Sequence, residues 1–216
     1  MRYSIAILFI AALFAFGCGS LQESAENSTA AKPAATETTP KNYSTPAETE
    51  PAGAEGGSLP KALGSAKARE LCYETDTGDN VVLRSQTFAI NFEPFMDSCF
   101  VTSHNPEFDD PPMESEIGIY RDGERLFDFP SQFNGATFGC WVDAAAFQDL
   151  NDDGLVDIIV IGKCSGKSAA YNENMIYVNT GKEFTTDADA NLKASDHETV
   201  AAVSRYVRAN KAVFFK

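Results

Sequence analysis

Phe147-Gln148-Asp149-Leu150-Asn151-Asp152-Asp153-Gly154-Leu155-Val156-Asp157-Ile158-Ile159-Val160-Ile161 is the stretch on which the fold turns: an acidic, glycine-bearing loop runs without interruption into an apolar, β-branched run. Oxygen-bearing side chains fall at loop positions one, three, five and nine, on Asp149, Asn151, Asp153 and Asp157, and Gly154 falls at six. Calcium takes roughly six to eight hard oxygens, and this spacing folds the carboxylates toward one point while the glycine permits the sharp bend. Leu155 adds its backbone carbonyl. An EF-hand loop would place a glutamate at position twelve and continue as a helix, whereas Val160 stands there and a strand follows. The expected cofactor is therefore a structural Ca2+ that pins a turn between two strands; the competing reading is an acidic turn without an ion.

Outward from this loop, the body from residue 61 to 216 alternates short apolar or β-branched runs with turn chemistry, which is the signature of strands. Strands are predicted over Asn80–Phe92, Cys99–Ser103, Glu116–Tyr120, Arg125–Phe129, Thr137–Ala146, Val156–Gly162 and Met175–Asn179. Asp122-Gly123 at the centre of Arg121–Glu124 predicts a tight hairpin between the third and fourth of these. Ser195 and Glu198 have capping-box spacing, and Val200, Val203 and Val207 recur at helical intervals up to Asn210. A short terminal strand is expected over Ala212–Phe215. The predicted fold is mainly β, an antiparallel sheet in a propeller-like or sandwich body, with one C-terminal α-helix. Trp141 and Phe147 are expected in its core.

Ahead of the body the composition changes twice. Arg2 precedes Ile5–Phe16, an uncharged apolar run that is shorter than the roughly 20 residues a spanning helix needs. Residues 1–17 are read as an export signal. Residues 18–60 are rich in Ala, Thr, Glu, Ser and Pro, with Tyr43 the one aromatic, a composition that cannot bury enough apolar surface to offset ordering entropy. They are read as a tether. Setting Cys18 aside, four cysteines remain, Cys72, Cys99, Cys140 and Cys164, an even number that favours two disulfides in an exported chain; four cysteines permit three pairings. None forms a C-x-x-C pair, which argues against zinc.

Charge narrows the partners. The whole chain carries a net −14, and residues 61–216 hold 14 Lys and Arg against 25 Asp and Glu, a net of −11. Such a surface repels nucleic acid and favours cationic partners. Catalysis is not expected: a nucleophilic triad needs a histidine beside a hydroxyl or thiol. The two histidines, His104 and His197, lie in a Pro- and Asp-rich loop and at the start of the terminal helix.

Three resemblances sharpen these readings. Ala15-Phe16-Gly17-Cys18 resembles the bacterial lipobox, which implies diacylation of Cys18 and, with Gly19 next, an outer-membrane lipoprotein facing the periplasm or the cell surface. Asp149–Asp157 resembles the calcium loop of FG-GAP and VCBS-type β-repeats, and Tyr177-Val178-Asn179-Thr180-Gly181-Lys182-Glu183-Phe184 extends the likeness. Cys164-Ser165-Gly166-Lys167-Ser168-Ala169-Ala170-Tyr171 resembles the Ser-Gly-x-x-x-x-Tyr loop of bacterial periplasmic lysozyme inhibitors. Taken together, residues 135–216 look like calcium-binding periplasmic lipoproteins similar to i-type lysozyme inhibitors. That likeness implies a loop inserted into the cleft of a lysozyme-like peptidoglycan hydrolase, with Ser165, Gly166, Lys167, Ser168 and Tyr171 as contact residues. The alternative is a calcium-dependent surface or adhesion module that uses the same ion and tether without inhibitory activity.

Overall fold

Two antiparallel sheets share one hydrophobic seam in the computed structural model, which describes residues 63–216. The export signal, Cys18 and the tether lie outside the described residues. The first sheet contains β1 (Val81–Val82), β2 (Phe88–Phe92), β3 (Phe95–His104), β4 (Glu116–Arg121) and β5 (Glu124–Asp128), in the order β1-β3-β4-β5 with β2 also paired to β3. The second contains β6 (Cys140–Gln148), β7 (Asp157–Cys164), β8 (Tyr171–Asn172), β9 (Met175–Asn179) and β10 (Phe184–Thr185), in the order β10-β9-β7-β6 with β8 also paired to β7. The mainly β, antiparallel expectation holds, and the sandwich is the form it takes.

β7 explains the layering. Ile158 and Val160 point into the seam with Phe100, Ile119, Phe129 and Tyr177, whereas Ile159 and Ile161 point the other way, toward Val203, Val207 and Phe214. Alternate side chains of a strand face opposite sides, so an unbroken apolar run is what a strand buried on both faces requires. All four residues are essentially inaccessible to solvent. At about 1.5–3 kcal/mol for each large apolar side chain fully buried, this strand carries a large share of the core. The outer layer is helical: α2 (Ala188–Leu192), α3 (Val200–Ala209) and α4 (Lys211–Phe214). Gly162 continues β7 where a Cβ would collide with the Glu173 carbonyl and the Phe133 ring.

The predicted hairpin is present: Arg121 faces Glu124, and the two turn residues, Asp122 and Gly123, both have positive φ, 51° and 82°. Met175–Asn179 is a strand with the predicted bounds. Three expectations are corrected. Asn80–Phe92 is not one strand, because a 3-10 turn over Arg84–Gln86 separates β1 from β2. The Thr87 hydroxyl oxygen plugs the gap by accepting from the Thr102 amide at 3.2 Å. A helix not foreseen, α1 (Ala66–Cys72), opens the described chain, capped by Ser65. The cap of α3 is Thr199, whose hydroxyl accepts from the Ala202 amide, while Ser195 instead accepts from Asn174 N. The terminal strand over Ala212–Phe215 is replaced by α4, which seats Phe214 in the helical layer.

Candidate functional site

β6 and β7 form a hairpin, paired from Cys140 opposite Cys164 to Gln148 opposite Asp157 with a bulge at Asp143. Both sequence-predicted sites sit on it, one at each end. The turn between the strands is the acidic loop, and the open end carries the Ser165–Tyr171 loop.

At the turn, the backbone winds so that its amides face the acidic side chains, with Asp152 and Gly154 at positive φ. Asp149 is buried and accepts from the amides of Asp152 (2.7 Å), Asp153 (3.2 Å) and Gly154 (2.9 Å). Asn151 Oδ1 accepts from the Asp153 amide, its Nδ2 donates to Asp153 Oδ2 at 2.8 Å, and Asp153 Oδ1 accepts from the Leu155 amide. Asp157 is wholly buried, with one oxygen accepting from Leu150 N at 3.0 Å and the other from Asn179 N at 2.9 Å. Burial pushes its carboxyl up to about 6, although the two amides pull the other way and Asp153 and Asp149 add to the rise. Asp152, at the one acidic position the calcium pattern leaves unused, faces outward. Lys211 bonds it at 2.5 Å and Arg208 at 3.3 Å, and these two cations, Lys211 foremost, hold its carboxyl below the usual range. The same two residues donate to the carbonyls of Asp149 and Asn151.

The arrangement fits a hard cation in donor type. Every predicted ligand is an oxygen, and a carboxylate offers about four lone-pair sites, so Asp149 and Asp157 keep acceptor capacity beyond their amide bonds. Among the described residues, no group of three or more acidic, histidine or cysteine side chains converges on a point that could hold a metal. Asp149 and Asp153 line the loop, while the Asp157 side chain is turned to the amides of Leu150 and Asn179.

At the open end, Cys140 and Cys164 are joined across the hairpin, and Cys72 is joined to Cys99, which ties α1 to β3. These are the two disulfides expected. From the stapled Cys164, residues 165–170 are all exposed, and Tyr171 follows at 47 % exposure. The loop is short of slack: Ser165 N donates to the Gly139 carbonyl at 2.9 Å, and Gly166 N to the Ala169 carbonyl at 3.1 Å. Gly166 is required there, since a Cβ would run into that carbonyl; it would also lie 3.4 Å from the Tyr171 ring. Lys167 and Ser168 project into solvent.

Two neighbours of this loop were not foreseen. Phe138 is 75 % exposed beside Gly139, and Met113, from the loop between β3 and β4, lies 3.4 Å from the Ser165 hydroxyl. Nothing local marks Phe138, which the sequence places at the start of a strand. Trp141 is also displaced from expectation: it belongs to neither core cluster, while Phe147 packs against the seam as predicted. His104 is buried with Nδ1 near the carbonyls of Asn105 and Phe108, and His197 lies against the Tyr206 ring at 4.8 Å. No helix among the described residues is long and apolar enough to cross a membrane. No protein-family model, no curated protein and no solved structure matches this chain.

Proposed function

We propose that this chain is a lipid-anchored extracytoplasmic inhibitor of a lysozyme-like peptidoglycan hydrolase. It inserts the Ser165–Tyr171 loop into the enzyme cleft, while a structural calcium ion steadies the opposite turn. The observation that carries this reading is the mechanical contrast along β7: a strand buried on both faces ends in a disulfide and is followed by seven consecutive exposed residues. A polar loop held this rigidly loses little entropy on binding. Its Ser165 and Ser168 hydroxyls and the Lys167 ammonium are donors suited to the carboxylates of a glycosidase cleft, charge-assisted in the lysine's case. Tyr171 and Phe138 offer exposed aromatic area of the kind that anchors interfaces. The two disulfides accord with an oxidising compartment, and anchorage through Cys18 would hold the domain at the outer membrane.

Inhibition of c-, g- and i-type lysozymes by the full chain, beside a Tyr171→Ala variant, tests the reading. The expected result is that the wild type blocks a member of the panel and the variant does not, with both melting at the same temperature. Absence of any block across the panel overturns it and leaves the calcium-dependent surface module as the account of the acidic loop.

A further inference from the structure

We infer that a groove beside β6, the edge strand of the second sheet, walled by Trp141, is the seat for one arginine side chain of the protein partner. The identity of the partner rests on the reading above; the chemistry of the groove does not.

Cys140 and Val142 face the seam, so strand alternation turns Trp141 outward, directly across from Lys163. The ring forms one wall of a groove of about 320 Å³ whose other apolar side chains are Leu83, Pro111 and Pro112. Three carboxylates, Asp109, Asp110 and Asp143, line the same groove. Lys163 takes Asp143 at 3.0 Å. Asp109 and Asp110 are exposed and form no ion pair among the described residues.

An apolar trough ending in uncompensated negative charge is complementary to a side chain with an apolar stem and a cationic head. The half-buried indole selects the guanidinium over the ammonium, because a planar, weakly hydrated cation stacks on it and still presents donors to two carboxylates. The occupant belongs to the partner of the stapled loop because the two features are one surface. Residues 105–115, which supply Asp109 to Pro112, hold four acidic residues and no lysine or arginine. Met113 of this segment lies against the Ser165 hydroxyl, and Ser115 N donates to the Cys140 carbonyl.

Trp141 is the single tryptophan of the chain, so emission excited selectively at tryptophan reads the groove alone. Tetra-arginine amide, titrated into the full chain at low ionic strength, is expected to change the emission saturably. The Asp109→Asn/Asp110→Asn variant, whose substitutions lie in an exposed loop and keep side-chain volume, is expected to bind about tenfold more weakly with an unchanged circular dichroism spectrum. Emission that ignores the peptide, or responds equally in the variant, overturns the proposal. The readout involves no hydrolase. A responsive Trp141 without lysozyme inhibition removes the inhibitor reading alone, and inhibition with a silent Trp141 removes the groove alone.

Discussion

Asp157 is wholly buried, whereas Asp152 and Asp153 of the same loop are exposed, and that burial sets a pH dependence. Its carboxyl titrates at about 6 in the folded chain against 3.8 in an ordinary setting. The folded state therefore holds the proton more tightly, so stability from this group is fully present below the unfolded value and falls as pH rises through the window from 3.8 to about 6. At roughly 1.4 kcal/mol per unit the loss reaches about 3 kcal/mol. A calcium ion favours the ionised form and should flatten the slope. Urea unfolding across about pH 4 to 7, with and without calcium, reads both effects; a midpoint that rises with pH in the absence of calcium would contradict the assignment. Asp153→Ala is expected to abolish any rise in Tm on adding calcium, and an unchanged rise would sink the ion. At this scale the sequence is informative about side chains whose spacing is itself the chemistry, such as Asp149, Asn151 and Asp153. It is silent on Asp157's burial, because that depends on Asn179, which lies 22 residues away in the neighbouring strand.

The β6–β7 hairpin is fastened at both ends, by the wound acidic loop and by the Cys140–Cys164 bond, whose partners are 24 residues apart. Closing a loop of that length in the unfolded chain is worth about 3 kcal/mol in the chain-entropy account. The Cys140→Ser/Cys164→Ser double variant should unfold at correspondingly lower denaturant. It should also raise proteolysis between residues 165 and 170, which limited digestion measures; resistance equal to wild type would mean that the Gly139 and Ala169 carbonyls alone set the loop. Elements of this kind were legible where local chemistry and fold agree. Asp122-Gly123 demands a tight turn, and Val200, Val203 and Val207 demand a helix face. α1, α4 and the 3-10 break before Thr87 were not, because each is short and held by groups remote in sequence. α1 is tied by the bond from Cys72 to Cys99 and by Arg69, which donates to the Thr87 carbonyl at 2.7 Å. Ser195 shows the same limit: its capping-box spacing is genuine, but Asn174 N claims the hydroxyl and Thr199 caps the helix in its place.

Across the molecule, β7 joins the two candidate sites and separates them. Its eight residues span roughly 25 Å, so an ion at Asp149–Asp157 touches nothing that the Ser165–Tyr171 loop would present to a partner. The strand between them is clamped by both core layers, and the far end has its own staple. Rigid packing on both faces gives the strand no second arrangement through which binding at one end could alter the other, and coupling between sites requires such a bistable element. Calcium and inhibition are therefore expected to be separable. Chelation should lower Tm, while at 25 °C, well below the transition, the inhibition constant should stay within about twofold, since a tenfold change would need about 1.4 kcal/mol of coupling. The same holds for Asp153→Ala, which should melt early in calcium and still block the enzyme. Parallel loss of inhibition and ion binding, measured on samples whose circular dichroism shows them folded, would show that β7 transmits what happens at its first residue to the loop beyond its last.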